Sequence, residues 1–327
     1  MRITALAGGI GGARFLRGLR HELRSRAGGS SVTVVVNTAD DITLHGLRVC
    51  PDLDTVMYTL GGGIHEKQGW GREAERFTVA EELAAYGSQP DWFTLGDRDF
   101  ATHIIRTRML AQGFSLSQIT RALCERWEPG VLLLPMSDDP VETHVVIDDP
   151  EADGGVRAVH FQEWWVRLHA AVPARQILAL GIETAKPAPG VLEALTDADV
   201  ILLPPSNPVV SIGTILGVPG VRDALRTSTA PVVGVSPIIS GAPVRGMADA
   251  CLTAIGVETS AVAVARHYGR RPDGVLDAWL VDDRDADAAE TLRSEGWLAG
   301  AAPTLMTDVP TTARMAADAL ALVGALP

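Results

Sequence analysis

The stretch ITALAGGIGGARFLRGL, residues 3–19, decides the fold. A short apolar run ends in four glycines within five positions, and Phe15, Leu16 and Leu19 follow at the spacing of a buried helix face. This order predicts a strand, a tight turn and a helix. A second apolar run, β-branched throughout, occupies residues 32–36. The opening is therefore a βαβ unit of a parallel sheet that is covered on both faces.

The rest of the chain alternates short apolar runs with helical or loop segments, as an α/β sheet requires. The later runs lie at residues 131–134, 144–147, 176–180, 200–203, 231–235 and 276–281. We therefore predict an α/β fold with a Rossmann-like, doubly wound, mostly parallel sheet.

Residues 65–128 depart from this alternation and predict a helical insertion. The helices are expected at residues 78–86, 100–110 and 116–127. The last of them opens with a capping box formed by Ser115 and Gln118.

A β-hairpin is the second predicted departure. Residues 141–148 and 156–165 flank a turn-rich segment and are expected to pair at the sheet edge or as a flap. Glycine and proline are spread along the chain as turns and do not collect in one linker. We therefore predict a single compact domain over 1–327, with its Rossmann-like core in 1–64 and 129–327.

Charge and cysteine usage exclude several classes of protein. Acidic residues outnumber basic ones by 40 to 28, and the formal net charge is −12, so no nucleic-acid partner is expected, although a local basic pocket stays open. Cys50, Cys124 and Cys251 lie far apart, which argues against a zinc knuckle or a disulfide scaffold and fits a reducing cytoplasm. The first apolar run is too short for a signal sequence or a membrane span, so a cytoplasmic protein without a membrane partner is expected.

Polar, turn-forming residues follow the predicted strands, where open α/β sheets bind their ligands. They lie at residues 8–12, 37–41, 136–140, 206–208, 236–237 and 282–283. The glycines at the start of the first helix offer free backbone N–H groups and the positive end of the helix dipole, which suits a phosphate or diphosphate. A tight turn with no ligand is the alternative.

Common nucleotide and hydrolase signatures are absent from the sequence. Arg14 stands in the third glycine position of the dinucleotide fingerprint, and the second strand ends in Asn37 without an acid for a ribose, which disfavours NAD. No P-loop is present, and the first lysine is Lys67. Neither H-E-x-x-H nor G-x-S-x-G occurs, so zinc-protease and serine-hydrolase functions are disfavoured.

Four aspartates cluster around the end of the second strand and a proline turn: Asp40, Asp41, Asp52 and Asp54. Their oxygens are suited to hold Mg²⁺ against substrate phosphates. Structural capping is the alternative, with Asp54 capping a helix over residues 55–60.

Two further motifs each have a binding and a structural interpretation. Arg98 is suited to clamp a phosphate or stack on a flat ring, or else Asp99 caps a helix beside a salt bridge. Trp164 and Trp165 form a ring-stacking wall or pack the hairpin against the core.

The motifs resemble one family over nearly the whole chain: the phospholactate/phosphoenolpyruvate transferases of coenzyme F420 biosynthesis. In chain order they are Gly8-Gly9-x-Gly11-Gly12, Leu16-x-Gly18-Leu19, Asn37-Thr38-Ala39-Asp40-Asp41, Pro51-Asp52-Leu53-Asp54-Thr55, Gly96-Asp97-Arg98-Asp99-x-Ala101-Thr102-His103, Leu134-Pro135-Met136-Ser137-Asp138-Asp139-Pro140, His160-Phe161-Gln162 and Pro205-Ser206-Asn207-Pro208-x-x-Ser211-Ile212-Gly213.

The resemblance implies a Mg²⁺-dependent reaction between the deazaflavin Fo and a three-carbon acid activated by guanosine diphosphate. The terminal ribityl hydroxyl of Fo would attack phosphorus, GMP would leave, and the product would be dehydro-F420-0 or F420-0. By similarity, Asp40 and Asp54 would be catalytic and hold Mg²⁺, while Asp52, Asp54 and Arg98 would contact Fo. The nucleotide and its diphosphate would lie against Gly9, Gly11, Gly12, Asn37, Ser137, Ser206 and Asn207.

The acid remains open, because lactate and enolpyruvate differ by two hydrogens that no motif visibly distinguishes. The arginine-rich composition and the tryptophan pair look actinobacterial, and members from that group resemble the enolpyruvyl users. A homodimer is expected, as is usual for such folds. The alternatives are a non-enzymatic nucleotide-sugar-binding regulator related to the gluconeogenesis factors, and an oxidoreductase with a degenerate dinucleotide fingerprint.

Overall fold

The computed structural model of the chain describes residues 1–24 and 29–325. Its strands, in chain order, are β1 (Arg2–Ala7), β2 (Ser31–Val36), β3 (Ile42–Leu44), β4 (Leu47–Val49), β5 (Leu132–Pro135), β6 (Glu142–Asp148), β7 (Val156–His160), β8 (Ala174–Leu180), β9 (Val200–Leu203), β10 (Val232–Val235), β11 (Ile238–Ile239), β12 (Ala242–Pro243), β13 (Ala278–Asp282) and β14 (Leu298–Ala302).

Its helices, in chain order, are α1 (Gly9–Arg24), α2 (Pro51–Gly61), α3 (Thr78–Ala85), α4 (Asp97–Ala111), α5 (Leu116–Trp127), α6 (Val191–Thr196), α7 (Ile212–Gly217), α8 (Val221–Thr227), α9 (Ala248–Ala254), α10 (Ala261–Tyr268), α11 (Ala286–Ser294) and α12 (Val309–Leu322). Asp153–Gly155 and Asp283–Asp285 are 3₁₀ turns, and Glu163–Arg167 is a π-helical turn.

A seven-stranded parallel sheet in the order β14-β13-β10-β9-β1-β2-β5 forms the centre of the fold. The chain builds outward from β1 through β2 to β5, and then returns to the other side of β1 with β9. The order reverses between β1 and β9, where a crevice opens at the carboxyl ends of the strands. This topology confirms the predicted doubly wound sheet.

Both faces of the sheet are buried, as the continuous apolar runs predict. Successive residues of a strand face opposite sides, so Ala5 packs with α1, α2 and α12, while Leu6 packs with α6, α7, α8 and α10. The α1–α12 contact is close because residue 18 is glycine. A Cβ at Gly18 would lie 2.5 Å from the side chain of Thr312.

The hairpin is confirmed, but it belongs to a three-stranded antiparallel sheet in the order β7-β6-β8. The prediction that residues 176–180 continue the alternating α/β pattern is therefore corrected, since β8 pairs with β6. The second hairpin strand ends at His160, and the chain then turns into the π-helical segment. Trp164 is fully buried against Val145 and Phe161, which supports the packing interpretation for this tryptophan.

The three helices predicted in residues 65–128 are present as α3, α4 and α5. The capping box is confirmed, because the Ser115 hydroxyl accepts from the Gln118 backbone and the Gln118 side chain accepts from the Ser115 backbone. Helix α2 begins at Pro51, so Asp54 lies in its first turn and does not cap it. Among the described residues, no helix is both long and apolar enough to cross a membrane.

Candidate functional site

A cavity of about 900 Å³ opens at the carboxyl end of the sheet, at the reversal between β1 and β9. The loops after β1, β2, β9 and β10 contribute to its wall, together with α2, the start of α4 and the segment after β14. The cavity therefore lies where the topology predicts a ligand site. Its size suits a small-molecule substrate.

The glycine loop at the start of α1 forms one side of the cavity and is shaped by its contact with the β9 loop. A Cβ at Gly11 would lie 2.1 Å from the carbonyl oxygen of Pro205, and one at Gly12 would lie 2.7 Å from Oγ of Ser206. The Ser206 hydroxyl donates to the carbonyl of Gly8 at 2.9 Å. These glycines are therefore required for close packing; Gly9 and Gly11 also line the cavity, while Gly12 lies behind it.

Asp52, in the first turn of α2, lies against the glycine loop and lines the cavity. Its Oδ2 accepts a hydrogen bond of 3.0 Å from the Asn37 side-chain amide. Burial raises the pKa of Asp52 to about 6, against opposing hydrogen bonds from Asn37 and the Gly9 backbone N–H. Asn37 itself lies behind the wall, where its Oδ1 accepts from the Thr214 hydroxyl at 2.8 Å. Asn37 thus positions Asp52.

Asp40, at the end of β2, is buried in the cavity wall. Across the described part of the chain, its Oδ1 has no hydrogen-bond partner. Burial, followed by the negative charge of Asp52, raises the pKa of Asp40 well above its ordinary value. Asp41, the next residue, faces Arg48 at 3.6 Å and does not line the cavity. The wall thus holds two neighbouring carboxylates that favour a proton or a cation.

Asp54 differs because both of its oxygens face the guanidinium of Arg106. Nη1 of Arg106 lies 3.1 Å from Oδ2, and Nη2 bonds Oδ1. Both side chains are buried between α2 and α4. The metal role predicted for Asp54 therefore gains no support from the geometry. In the ranges that the structure describes, no group of three or more His, Cys, Asp or Glu side chains is placed to hold a metal ion.

His103 and Asp99, both on α4, border the same part of the cavity. Arg106 Nη1 lies 3.2 Å from His103 Nδ1, and because a guanidinium can only donate, the ring proton is assigned to Nε2. Burial lowers the pKa of His103 to about 4, so the ring is neutral at pH 7. Burial and the Asp54 charge raise the pKa of Asp99 to about 7. Tyr58 completes this buried polar cluster.

Two predicted binding residues face away from the cavity. Arg98 is exposed, and its Nη1 donates to the carbonyl of Glu73 at 3.2 Å. Ser137 is buried, and its hydroxyl donates to the carbonyl of Lys186 at 2.7 Å. Ser206 and Asn207 do line the cavity, next to the glycine loop. The structure thus brings together Gly9, Gly11, Asp40, Asp52, Asp54, Ser206 and Asn207.

Sequence analysis missed two sets of residues that line the cavity. One is aromatic and consists of Tyr58, Trp70 and Phe93. Of the predicted tryptophan pair, Trp165 lines the wall, whereas Trp164 is buried. The other is basic and consists of Arg14 and Arg245. Arg14 could have been found from the sequence, because it departs from the dinucleotide fingerprint. No motif marks Arg245.

Comparisons with known proteins identify relatives along almost the whole chain. A family model described as "2-phospho-L-lactate transferase CofD" matches residues 3–317. The phosphoenolpyruvate transferases of Streptomyces coelicolor and Thermobifida fusca are each 63% identical to this chain, over 322 and 326 residues, and each alignment covers 98% of both chains. That of Mycobacterium avium is 54% identical over 344 aligned positions and covers all of both chains.

Among solved structures, a UPF0052 family protein from Bacillus halodurans superposes with a TM-score of 0.60. The superposition covers 97% of this chain and 98% of that chain, at 18% sequence identity. At this identity the likeness shows the shared fold alone.

Proposed function

The chain belongs to the family of the 2-phospho-L-lactate transferase CofD, and from this premise we propose that it transfers a phosphoenolpyruvyl group from a guanosine diphosphate-activated donor to the deazaflavin Fo. Membership confirms the family predicted from the motifs, the transferases of coenzyme F420 biosynthesis. The chain is thus a transferase enzyme, which sets aside the regulator and the oxidoreductase. The enolpyruvyl donor is preferred because the three relatives described above carry the name phosphoenolpyruvate transferase.

One observation carries the proposal: a single cavity joins the start of α1 to a wall of buried carboxylates. The loops after β9 and β10, with Ser206, Asn207 and Ser236, offer polar groups for the guanosine side. Tyr58 and Phe93 also line the cavity, and their rings suit contact with a flat ring. A substrate hydroxyl held at the carboxylate wall would face a donor phosphate held near α1.

The reaction is a displacement at phosphorus. The terminal ribityl oxygen of Fo forms a bond to the phosphorus nearer the three-carbon acid, and the bond from that phosphorus to the GMP oxygen breaks. The hydroxyl proton passes to the carboxylate wall, where Asp52, with a pKa of about 6, is suited to accept it near neutral pH. GMP leaves with the electron pair. Positioning and charge neutralisation supply most of the rate enhancement in such transfers.

The carboxylate wall fits a magnesium ion through Asp40, whose buried Oδ1 lacks a partner among the described residues, so that the neighbouring Asp52 stays free to accept the proton. Magnesium sites commonly combine one or two protein carboxylates with substrate phosphates. When bound, the ion would neutralise negative charge on the donor phosphates. Asp54 is held by Arg106 and is better suited to fix the start of α2 against α4 than to bind the ion.

The test is mass spectrometry of reactions that contain purified protein, Fo, Mg²⁺ and either the enolpyruvyl or the lactyl guanosine donor, with EDTA as control. Product at the mass of dehydro-F420-0 from the enolpyruvyl donor alone, lost with EDTA, is the expected result. Product from the lactyl donor would reassign the acid. Absence of product from both donors, in protein shown to be folded, would overturn the proposed reaction.

The expected homodimer stays a prediction that sedimentation would check.

A further inference from the structure

Arg14 and Arg245 form a basic wall in a cavity that is otherwise rich in carboxylates. Arg14 lies in the second turn of α1, and Arg245 follows β12. A Cβ at Gly69 would lie 2.9 Å from Ile10 of α1 and 3.0 Å from Nη1 of Arg245, so Arg245 lies close to the start of that helix. Their charges act on one another, because Arg245 is among the groups that lower the pKa of Arg14. Holding two like charges together costs free energy in the unliganded protein, and an anion between them would offset that cost.

The two guanidiniums differ in how they are held. Arg245 donates to the carbonyls of Gln68 and Lys67, at 2.7 and 3.2 Å, which fixes its guanidinium against this loop. Arg14 is partly buried, and within the described ranges no group accepts a hydrogen bond from it. One arginine is therefore preorganised, and the other has donors free for a ligand.

The other charged groups near Arg14 leave this wall positive. Arg17 and Glu66 are its charged neighbours besides Arg245. The Glu66 carboxylate accepts from Arg17 Nη1 at 2.6 Å, so it is already paired. Arg14 and Arg245 thus carry two positive charges without a carboxylate partner among these neighbours.

The glycine loop by itself is a weaker anion site than its sequence suggests, because the Asp52 carboxylate already accepts from the Gly9 backbone N–H. A second anion above the same helix end meets repulsion from Asp52. Arg14, on the same helix, and Arg245, which also lines the cavity, are placed to compensate that charge. The planar guanidinium fork also bonds phosphate and carboxylate groups with two parallel hydrogen bonds.

We infer that Arg14 and Arg245 together bind an anionic group of the donor, either its diphosphate or the carboxylate of its three-carbon acid. The inference rests on the proposed function for the identity of the donor, but it concerns residues that the motifs did not assign. Both arginines would act on donor binding and leave Fo binding unchanged, since the proposed contacts of the Fo ring are Tyr58 and Phe93.

The test measures the dissociation constant of GDP by calorimetry in EDTA for the wild type, Arg14→Gln and Arg245→Gln, together with KM for the enolpyruvyl donor. Loss of a charge-assisted hydrogen bond should raise the affected constant by about ten- to a hundredfold. Arg14→Lys should recover part of the loss because the charge is kept. Arg20→Gln is the matched control, since Arg20 lies on the same helix and bonds the Pro129 carbonyl away from the cavity.

The two measurements distinguish the diphosphate of the donor from its carboxylate as the bound group. Weaker GDP binding identifies the diphosphate; unchanged GDP binding with a raised donor KM identifies the carboxylate. Unchanged values of both constants in the glutamine variants, or an equal loss of Fo affinity, would overturn the inference. If the wild type makes no product from either donor but Arg14→Gln still weakens GDP binding, the proposed reaction fails while the basic wall stands.

Discussion

The cavity wall places two kinds of buried carboxylate side by side. Asp54 lies opposite Arg106, which bonds both of its oxygens. Asp40 is equally buried, but the charges that act on it are the negative charges of Asp52 and Asp41. Charge that is already balanced contributes to structure, whereas unbalanced buried charge attracts a proton, a cation or a substrate group.

Two aspartates that look equivalent in the sequence therefore have different surroundings in the structure. Asp52 and Asp54 are two positions apart, in the same turn of α2. One contacts the glycine loop and the other contacts α4. The same short motif therefore provides a cavity group and an inter-helix ion pair.

The largest expected effect is on stability and comes from breaking the ion pair. Arg106→Met leaves Asp54 buried without its partner, so the free energy of unfolding should fall by about 3–5 kcal/mol. Urea denaturation measures it. The double variant Asp54→Asn/Arg106→Met removes both charges and should recover a large part of the loss. If the single and double variants are equally unstable, the pair does not act through charge.

The next effect is on turnover and tests the other carboxylate. Asp40→Asn should lower kcat by roughly 100- to 1,000-fold, because the proposed reaction assigns the cation to the Asp40 carboxylate. Its stability should be unchanged or higher, since burial and the negative charge of Asp52 disfavour a carboxylate at this position. Steady-state kinetics and urea denaturation on the same preparation check both halves. Full activity in Asp40→Asn would contradict the assignment.

Much of this arrangement was accessible from the sequence, because strand order fixes which loops meet. The β-branched run of β2 and the apolar run of β1 identify the parallel sheet, and its carboxyl edge brings Asp40 and Ser206 to one cavity. Strand β14 was missed because its sequence, LAGAA at residues 298–302, has no β-branched residue.

Side-chain direction was not accessible, since it depends on packing between distant segments. Asp54 pairs with Arg106, 52 positions away, and no local pattern specifies that contact. Arg98 and Ser137 stand in motifs of the family, yet backbone carbonyls of neighbouring segments take their donors. In each case a tertiary partner competes with the ligand expected from the motif.

A smaller effect concerns pH and uses Asp99, whose pKa of about 7 lies above its ordinary value because of burial and Asp54. The folded protein therefore binds this proton more tightly than the unfolded chain. The stabilisation of the folded state by this proton is complete below the ordinary pKa of about 4 and is lost as the pH rises through about 7. His103, with a lowered pKa of about 4, acts in the opposite direction below about pH 6.5.

Comparison of Asp99→Asn with the wild type isolates the carboxyl. The variant should become more stable relative to the wild type between pH 4 and pH 7, by at most about 1.4 kcal/mol per pH unit, and the difference should then level off. Urea midpoints at several pH values measure it. A difference that does not change with pH would show that Asp99 is not protonated more readily in the folded state.

The smallest expected effect is a thermal shift that compares neighbouring carboxylates at the end of β2. Millimolar magnesium chloride should raise the unfolding temperature of the wild type by about 2 °C or more, because an ion that binds only the folded state stabilises it. Asp40→Asn should abolish the shift. Asp41→Asn should keep it, since Asp41 faces Arg48 and does not line the cavity. An equal shift in both variants would place the ion elsewhere. The presence or absence of a positively charged partner beside a carboxylate would then not explain where the ion binds.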